Sequence, residues 1–361
     1  MERTWLEINL KNITENYLNY KKSLIPSQNI IPVVKANAYG HGDEEVCKAL
    51  QCVGVNCFAV ASAEEGIKLR KSGIVGDIIV LGYTPIDKIK QLYDLDISQT
   101  VYCEEYANEI LQTNIPIKVH IAIDTGMNRL GFHDDNISKL SKTVRHYALK
   151  LNTVGVFTHL CAADTQHIPF SQGQISKFKA VLSRLSDLPL KYVHCMNSSA
   201  GMLFNEDVFN YVRLGIILYG LKPYPTIWLP FKLKPALTWK ARVCMVKTIN
   251  AGDYVGYSLT YQATKPTKVA TVSVGYADGF AYALSNKGHV KIHGKKAKII
   301  GRVCMDYFMV DVTDIENVCL QDEVVLLDDE YTADCMADDL DTIGYEVACN
   351  VSSRVPRIYF Y

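Results

Sequence analysis

Ile30-Ile31-Pro32-Val33-Val34-Lys35 is apolar until its last residue. A short run that does not alternate with polar residues suits a strand buried on both faces, as in a parallel sheet. The pattern recurs in Cys57 to Ala61, Asp77 to Leu81, Ile97 to Val101, Ile117 to Ile123, Thr153 to Thr158, Lys191 to His194 and Tyr211 to Leu218. Amphipathic stretches such as Asp43 to Val53 and Gln174 to Leu185 fall between these runs. Eight strand-helix units predict an α/β fold, a (β/α)8 TIM barrel, ahead of a doubly wound sheet. After Leu221 the grammar changes: Lys222 to Pro235 holds four of the 12 prolines, and helical periodicity largely stops. From Ala236 onward, runs rich in Val, Ile and Thr are punctuated by Gly252, Gly279, Gly294 and Gly301, which predicts a C-terminal, mainly antiparallel β-domain. Trp5 to Asn9 is expected to pair with it. The predicted division is 9–232 for the barrel, and 1–8 with 233–361 for the β-domain.

The 361 residues, 48% hydrophobic, can bury a large core. Lys plus Arg and Asp plus Glu both number 38, so no net field would recruit nucleic acid or an anionic membrane. A small molecule is the expected partner. No apolar run approaches the roughly 18 residues that span a bilayer, and Met1 to Leu10 lacks the apolar stretch of a signal peptide. A cytoplasmic chain is expected, or the cytoplasmic domain of a membrane-anchored protein. The 11 cysteines form no CxxC pair and read as reduced core thiols.

Barrel enzymes gather their chemistry at the C-terminal ends of the strands. Here those ends are polar. The first strand ends in Lys35, the fifth runs into Asp124-Thr125-Gly126-Met127-Asn128-Arg129, and the sixth ends in Thr158-His159. The seventh runs into Asn197-Ser198-Ser199, and the eighth carries Arg213 and Gly215. Backbone amides and hydroxyls after strands seven and eight commonly hold phosphate on this fold, a role that Ser198, Gly215 and Ile216 fit. A lysine at the end of a buried strand is unfavourable unless it is paired, exposed to a cleft or uncharged, and a Schiff base with an aldehyde cofactor is one solution. Taken singly, each residue has a plainer reading. Lys35 suits a salt-bridged rim lysine, His159 a core histidine, Arg213 the partner of a barrel carboxylate, and Tyr39 a packed ring with a wet hydroxyl.

Together these residues resemble a known family. Val33-Val34-Lys35-Ala36-Asn37-Ala38-Tyr39-Gly40-His41-Gly42 is similar to the cofactor-lysine motif of the alanine racemases. Asp124 to Gly131, Thr158-His159, Asn197-Ser198, Arg213 to Ile216, Gly275-Tyr276-Ala277-Asp278-Gly279, Gly301 to Asp306 and Tyr345-Glu346-Val347 follow in the family's order. The resemblance spans essentially the whole chain. It implies an amino-acid racemase dependent on pyridoxal 5'-phosphate, a homodimer whose active site is completed by the partner's β-domain. It implies no metal. Lys35 would carry the cofactor and act as base on one face of the substrate's α-carbon, and Tyr257 of the other subunit would act on the opposite face. A free tyrosine titrates near pH 10, so that role needs cationic or hydrogen-bonding neighbours, and His159 and Arg213 are the expected chain. Arg213 would also face the pyridine nitrogen and restrain the cofactor's electron demand, which limits side reactions. Tyr39, Asn197, Ser198, Gly215, Ile216 and Tyr345 would hold the cofactor. Arg129, Met305 and Asp306 would position the substrate carboxylate, and Tyr276 would narrow the entrance with Tyr257. Without the resemblance, Met305-Asp306 and Tyr276 to Gly279 read as ordinary turns.

Many family members carry a carbamylated lysine where this chain has Ala122. Arg129 has therefore lost an anionic neighbour, and a bound anion such as chloride or a nearby carboxylate is expected to fill the gap. The resemblance implies interconversion of L- and D-alanine, supplying D-amino acid for peptidoglycan, because Tyr345 matches the alanine type. A serine racemase linked to glycopeptide resistance is the alternative. A decarboxylase on the same barrel usually faces the pyridine nitrogen with a carboxylate, not an arginine. A non-catalytic carrier of the cofactor would resemble the barrel alone.

Overall fold

The computed structural model describes residues 2–163 and 167–361. Strand β1 (Thr4–Asn9) precedes eight short strands: β2 (Asn29–Pro32), β3 (Cys57–Val60), β4 (Asp77–Val80), β5 (Ile97–Val101), β6 (Lys118–Ala122), β7 (Asn152–Phe157), β8 (Tyr192–His194) and β9 (Tyr211–Leu214). β2 to β9 form one all-parallel sheet in the order β2-β9-β8-β7-β6-β5-β4-β3. A single bridge between Val33 and Ala59, with the Val34 amide donating to Ala59 O at 2.9 Å, joins its two ends into a barrel. Most strand residues are buried, and Cys57–Val60 and Ile97–Val101 are buried throughout. That explains why these strands read as unbroken apolar runs.

Three sequence readings need correction here. The run Tyr211 to Leu218 is not one strand: it ends at Leu214, and Ile216–Tyr219 forms a 3-10 turn. Gly215, at φ −105° and ψ −108°, leaves extended geometry and gives its amide to Ser198 Oγ at 2.9 Å. The helix expected at Gln174 to Leu185 spans Ile168–Leu182, with proline in its first turn. The cysteines are all free, but only Cys47, Cys57 and Cys195 are buried. Cys244 shows why: along its strand Val243 faces inward and Cys244 outward, whatever the polarity of the neighbours.

Residues 222–236 carry no regular element. Beyond them lie β10 (Leu237–Ile249), β11 (Tyr254–Val255), β12 (Tyr261–Gln262), β13 (Thr267–Val272), β14 (His289–Ile292), β15 (Lys295–Ile299), β16 (Phe308–Asp311), β17 (Glu323–Leu327) and β18 (Arg357–Phe360). β1 and all of these except the β11–β12 hairpin form a second eight-stranded sheet, antiparallel but for β1 against β18. Strand β10 is long enough to pair with β1, β13 and β17, and its inward residues Trp239, Ala241 and Val243 anchor the core. Two helices, Ala333–Leu340 and Gly344–Asn350, were not legible in the valine-rich pattern. They are short, and their apolar residues spend themselves on contacts with the barrel and with each other rather than on one long periodic face. Among the described residues no helix is long and apolar enough to cross a membrane.

Candidate active site

The C-terminal mouth of the barrel opens into a cavity of about 720 Å3 lined by Lys35, Tyr39, Arg129, His159, Ser198 and Arg213, with Asn197, Gly215, Ile216 and Tyr345 also on its wall. Lys35, Arg129, His159 and Ser198 follow the ends of barrel strands, Arg213 lies within β9, and Tyr345 comes from the helix Gly344–Asn350. Lys35 stands just beyond β2, where the chain enters a left-handed turn at Ala36 to Tyr39. Burial pushes the Lys35 amine below its ordinary value, Arg129 pushes it further, and Glu65 partly offsets both. A larger share of Lys35 is therefore uncharged than of an exposed lysine at the same pH.

Arg213 is 4% exposed, and among the described residues no carboxylate pairs with it. The plain reading, a barrel ion pair, does not hold. Its Nη1 donates to His194 Nδ1 at 2.7 Å, and its Nη2 to His159 Nδ1 at 2.8 Å and Thr158 O at 2.9 Å. Burial lowers this guanidinium to about 10. An arginine has only donors, so both histidines must accept through Nδ1 and carry their proton on Nε2. Burial, reinforced by Arg213, holds both well below the ordinary histidine range. His159 thus lines the cavity as a neutral ring whose tautomer Arg213 has fixed. His194 extends the chain inward to His120 Nδ1 at 3.2 Å.

Beyond the ends of β8 and β9 the Ser198 hydroxyl receives the Gly215 amide, and Tyr20 Oη donates to Ser198 O at 2.9 Å. A Cβ placed on Gly215 would lie 2.9 Å from Tyr39 Oη and 3.7 Å from Ser198 Oγ. This is a concave cup that any side chain would fill. Asn197 is committed to its own loop, accepting from the Ala200 amide at 2.9 Å and donating to Leu160 O at 3.3 Å. The donor set fits a phosphorylated aldehyde cofactor, with a half-buried lysine at one end and hydroxyls with a glycine amide at the other.

Arg129 leaves a loop shaped by Asp124, whose Oδ1 accepts from the amides of Gly126, Met127 and Asn128 at 2.8, 3.0 and 3.1 Å. Among the described residues no carboxylate pairs with Arg129, so the expected nearby carboxylate is not found. Ala122, 3% exposed, lines the same cavity. Sequence reasoning missed Gln174. It is 2% exposed and ties Thr125 Oγ1, His159 O and the Cys161 amide together at 3.3, 3.1 and 3.1 Å. A polar residue on the buried face of an amphipathic helix was the available signal.

Tyr257, Tyr276, Met305 and Asp306 lie outside this cavity, gathered on the β-domain. Tyr257 is 70% exposed and lines a separate groove with Cys304, Tyr307 and Met309. The turns bearing Tyr276 and Met305 are joined, since the amides of Tyr276 and Ala277 donate to Cys304 O and Met305 O, each at 3.0 Å. Asp278, fully buried, braces that turn through the Gly275 amide at 3.1 Å and through Arg3. Asp306 accepts from Arg354 at 2.7 Å. The residues singled out in the sequence therefore form two groups, one in the barrel mouth and one on an exposed face of the β-domain.

An eight-stranded parallel barrel with a lysine at its mouth, followed by an antiparallel β-domain, defines a two-domain barrel enzyme. The model of the N-terminal domain of alanine racemase matches residues 8–223, and that of the C-terminal domain matches residues 236–359. The chain belongs to the alanine racemase family. It is 42% identical to the alanine racemase of Carboxydothermus hydrogenoformans, across 99% of this chain and 100% of the relative. The solved alanine racemase of Clostridium difficile superposes with a TM-score of 0.94 at 36% identity, over 100% of this chain and 96% of the other. The Bartonella henselae alanine racemase, solved with covalently bound pyridoxal phosphate, gives a TM-score of 0.89 at 30% identity, with both chains fully covered.

Proposed function

We propose that this chain is a pyridoxal-phosphate-dependent racemase that interconverts L- and D-alanine. The observation that carries the reading is the convergence of Lys35, Arg129, His159 and Arg213 on one cavity that also contains the Ser198–Gly215 cup. When bound, the cofactor supplies an electron sink that makes the substrate's α-hydrogen removable. Lys35 Nζ holds or delivers a proton on one face of the α-carbon, and burial makes that proton easier to give up than an exposed lysine's. Tyr257 of a second copy takes the opposite face. Its exposure, and its distance in the chain's own fold from the Lys35 cavity, support a homodimer with shared sites. On that reading the barrel, residues 9–232, holds the cofactor with help from Tyr345 of the same chain, while the exposed face of the unit formed by residues 1–8 and 233–361, which bears Tyr257, completes the partner's site.

His159 offers its Nε2 proton to the incoming phenol, and Arg213 keeps the ring in that tautomer. Arg213, which lines the cavity, would set a fixed positive charge against the bound cofactor's ring and restrain its electron demand. Tyr39, Ser198, Tyr345 and the amides of Gly215 and Ile216 would hold the phosphate, with Asn197 shaping the loop that carries Ser198. Arg129 and the Met305 amide orient the carboxylate, with Asp306 bracing the Met305 turn. Tyr276 and Tyr257 narrow the entrance and exclude water. A cytoplasmic supply of D-alanine for peptidoglycan is the role this activity fits. Racemisation of L-alanine and L-serine by the purified chain, side by side with added cofactor, tests the proposal. A higher kcat/KM for alanine is expected, and a strong serine preference or no racemisation would overturn it.

A further inference from the structure

The segment after Lys35 holds a conformation that L-residues avoid. Ala36, Asn37, Ala38 and Tyr39 have φ of 52°, 55°, 53° and 52° in succession, and only glycine adopts that region without penalty. Such strain persists where the surroundings over-determine it. Some of the restraint is local: the Ala36 amide donates to Glu65 Oε1 at 2.7 Å, Ala38 to Val34 O at 2.9 Å, and the His41 ring to Tyr39 O at 2.9 Å. The rest comes from the β-domain. Arg357, in β18, donates from Nε to Gly40 O at 3.1 Å. It also donates from Nη1 to Ser352 O and Val355 O at 2.7 and 2.6 Å, and from Nη2 to Val351 O at 2.8 Å. These last carbonyls follow directly on the helix Gly344–Asn350, which carries Tyr345. The turn is also pressed onto that helix, because a Cβ on Gly40 would run into Ala348 O.

We propose that Arg357 is a positioning residue for the cofactor. One planar guanidinium ties the end of the strained turn to the end of the helix, and so fixes Tyr39 against Tyr345, whose ring centroids lie 6.0 Å apart. The two phenols then meet the phosphate as one preorganised pair, although they arrive from different domains. Arg357 has no carboxylate partner among the described residues. It is spent on main-chain carbonyls, a task that requires several donors in a fixed plane and that lysine cannot reproduce. The inference rests on the reading that pyridoxal 5'-phosphate binds in this cavity.

The test is titration of cofactor-depleted enzyme with pyridoxal 5'-phosphate, read by the absorbance of the lysine-bound form, for wild type, Arg357→Met and Arg357→Lys. Arg357→Met keeps the apolar stem and removes the donors, and should weaken binding by roughly ten- to a hundredfold. Arg357→Lys keeps the charge and one donor group but not the planar fork, and should fall in between. Val324→Ala, which opens a cavity in the buried β-domain core, serves as a control for general destabilisation, and its cofactor affinity should stay at the wild-type value. Adding Ala36→Gly to Arg357→Met should restore affinity severalfold, because glycine relieves the left-handed strain that the clamp otherwise holds. Wild-type affinity in both Arg357 variants, a loss no larger than in Val324→Ala, or no rescue by Ala36→Gly would each overturn the proposal. A wild-type chain that binds no cofactor would instead refute the reading of the cavity, and this inference with it.

Discussion

Replacing Gly215 by alanine probes the cup at its narrowest point. The added Cβ would sit 2.9 Å from Tyr39 Oη and 3.5 Å from Tyr39 Cζ, closer than carbon and oxygen tolerate without movement. Tyr39 cannot readily withdraw. It is 7% exposed and packs between Tyr219 and Tyr345, with ring centroids 5.0 and 6.0 Å away. The hydroxyl must therefore shift, and on the proposed assignment of the cup it would lose its bond to a phosphate oxygen. One charge-assisted hydrogen bond contributes about 1.5–3 kcal/mol, which corresponds to roughly ten- to a hundredfold in cofactor affinity. Absorbance titration of the cofactor-depleted variant measures this, with circular dichroism to verify folding. Gly173→Ala is the control, since nothing lies within 4 Å of its Cβ and its helix should be stabilised slightly. Cofactor affinity within twofold of wild type in Gly215→Ala would refute the assignment of the cup.

Arg213→Lys should lower kcat at least about tenfold while the cofactor still binds, because a single ammonium cannot donate to His159 and His194 in the geometry of a guanidinium fork; an unchanged kcat would remove that pair from the mechanism. Acid should destabilise the fold in a defined window. Burial holds His41 at about 4 and His120 at about 3, whereas the unfolded chain takes up these protons near 6.5. Their contribution is thus present above pH 6.5 and is lost as pH falls toward 4, by up to about 1.4 kcal/mol per pH unit for each ring. Denaturant unfolding across that range measures the slope, and His120→Gln should flatten it. For Arg129, which pairs with no carboxylate among the described residues, adding chloride to chloride-free enzyme should lower KM for alanine, and an unchanged KM would dismiss the anion.

Much of the barrel was legible because a strand buried on both faces must be apolar throughout, and eight such runs leave few architectures open. The end of β9 was not legible, since Ile216 to Leu218 are as apolar as a strand and only the Ser198 contact with Gly215 shows where the chain turns. Lys35, His159 and Arg213 could be picked out as polar residues at strand ends. What could not be read was their connection. The tautomers imposed by Arg213, the inward chain to His120 and the brace at Gln174 depend on side chains that meet only after folding. Arg357 gave no signal at all, because its partners are main-chain carbonyls and leave no trace in residue types. Tyr257 became a candidate through resemblance alone, and its exposed position fits a residue that serves another copy.

The pairing of Lys35 with Tyr257 from a second chain is tested most directly by mixing two dead variants. Lys35→Ala and Tyr257→Phe should each racemise alanine very slowly as pure dimers. Co-expressed in equal amounts, about half of the dimers are mixed, and each mixed dimer has one site bearing both substitutions and one bearing neither. The account predicts recovery of roughly a quarter of wild-type racemisation. No recovery, with mixed dimers demonstrably formed, would mean that both bases come from one chain, or that one of them is not a base.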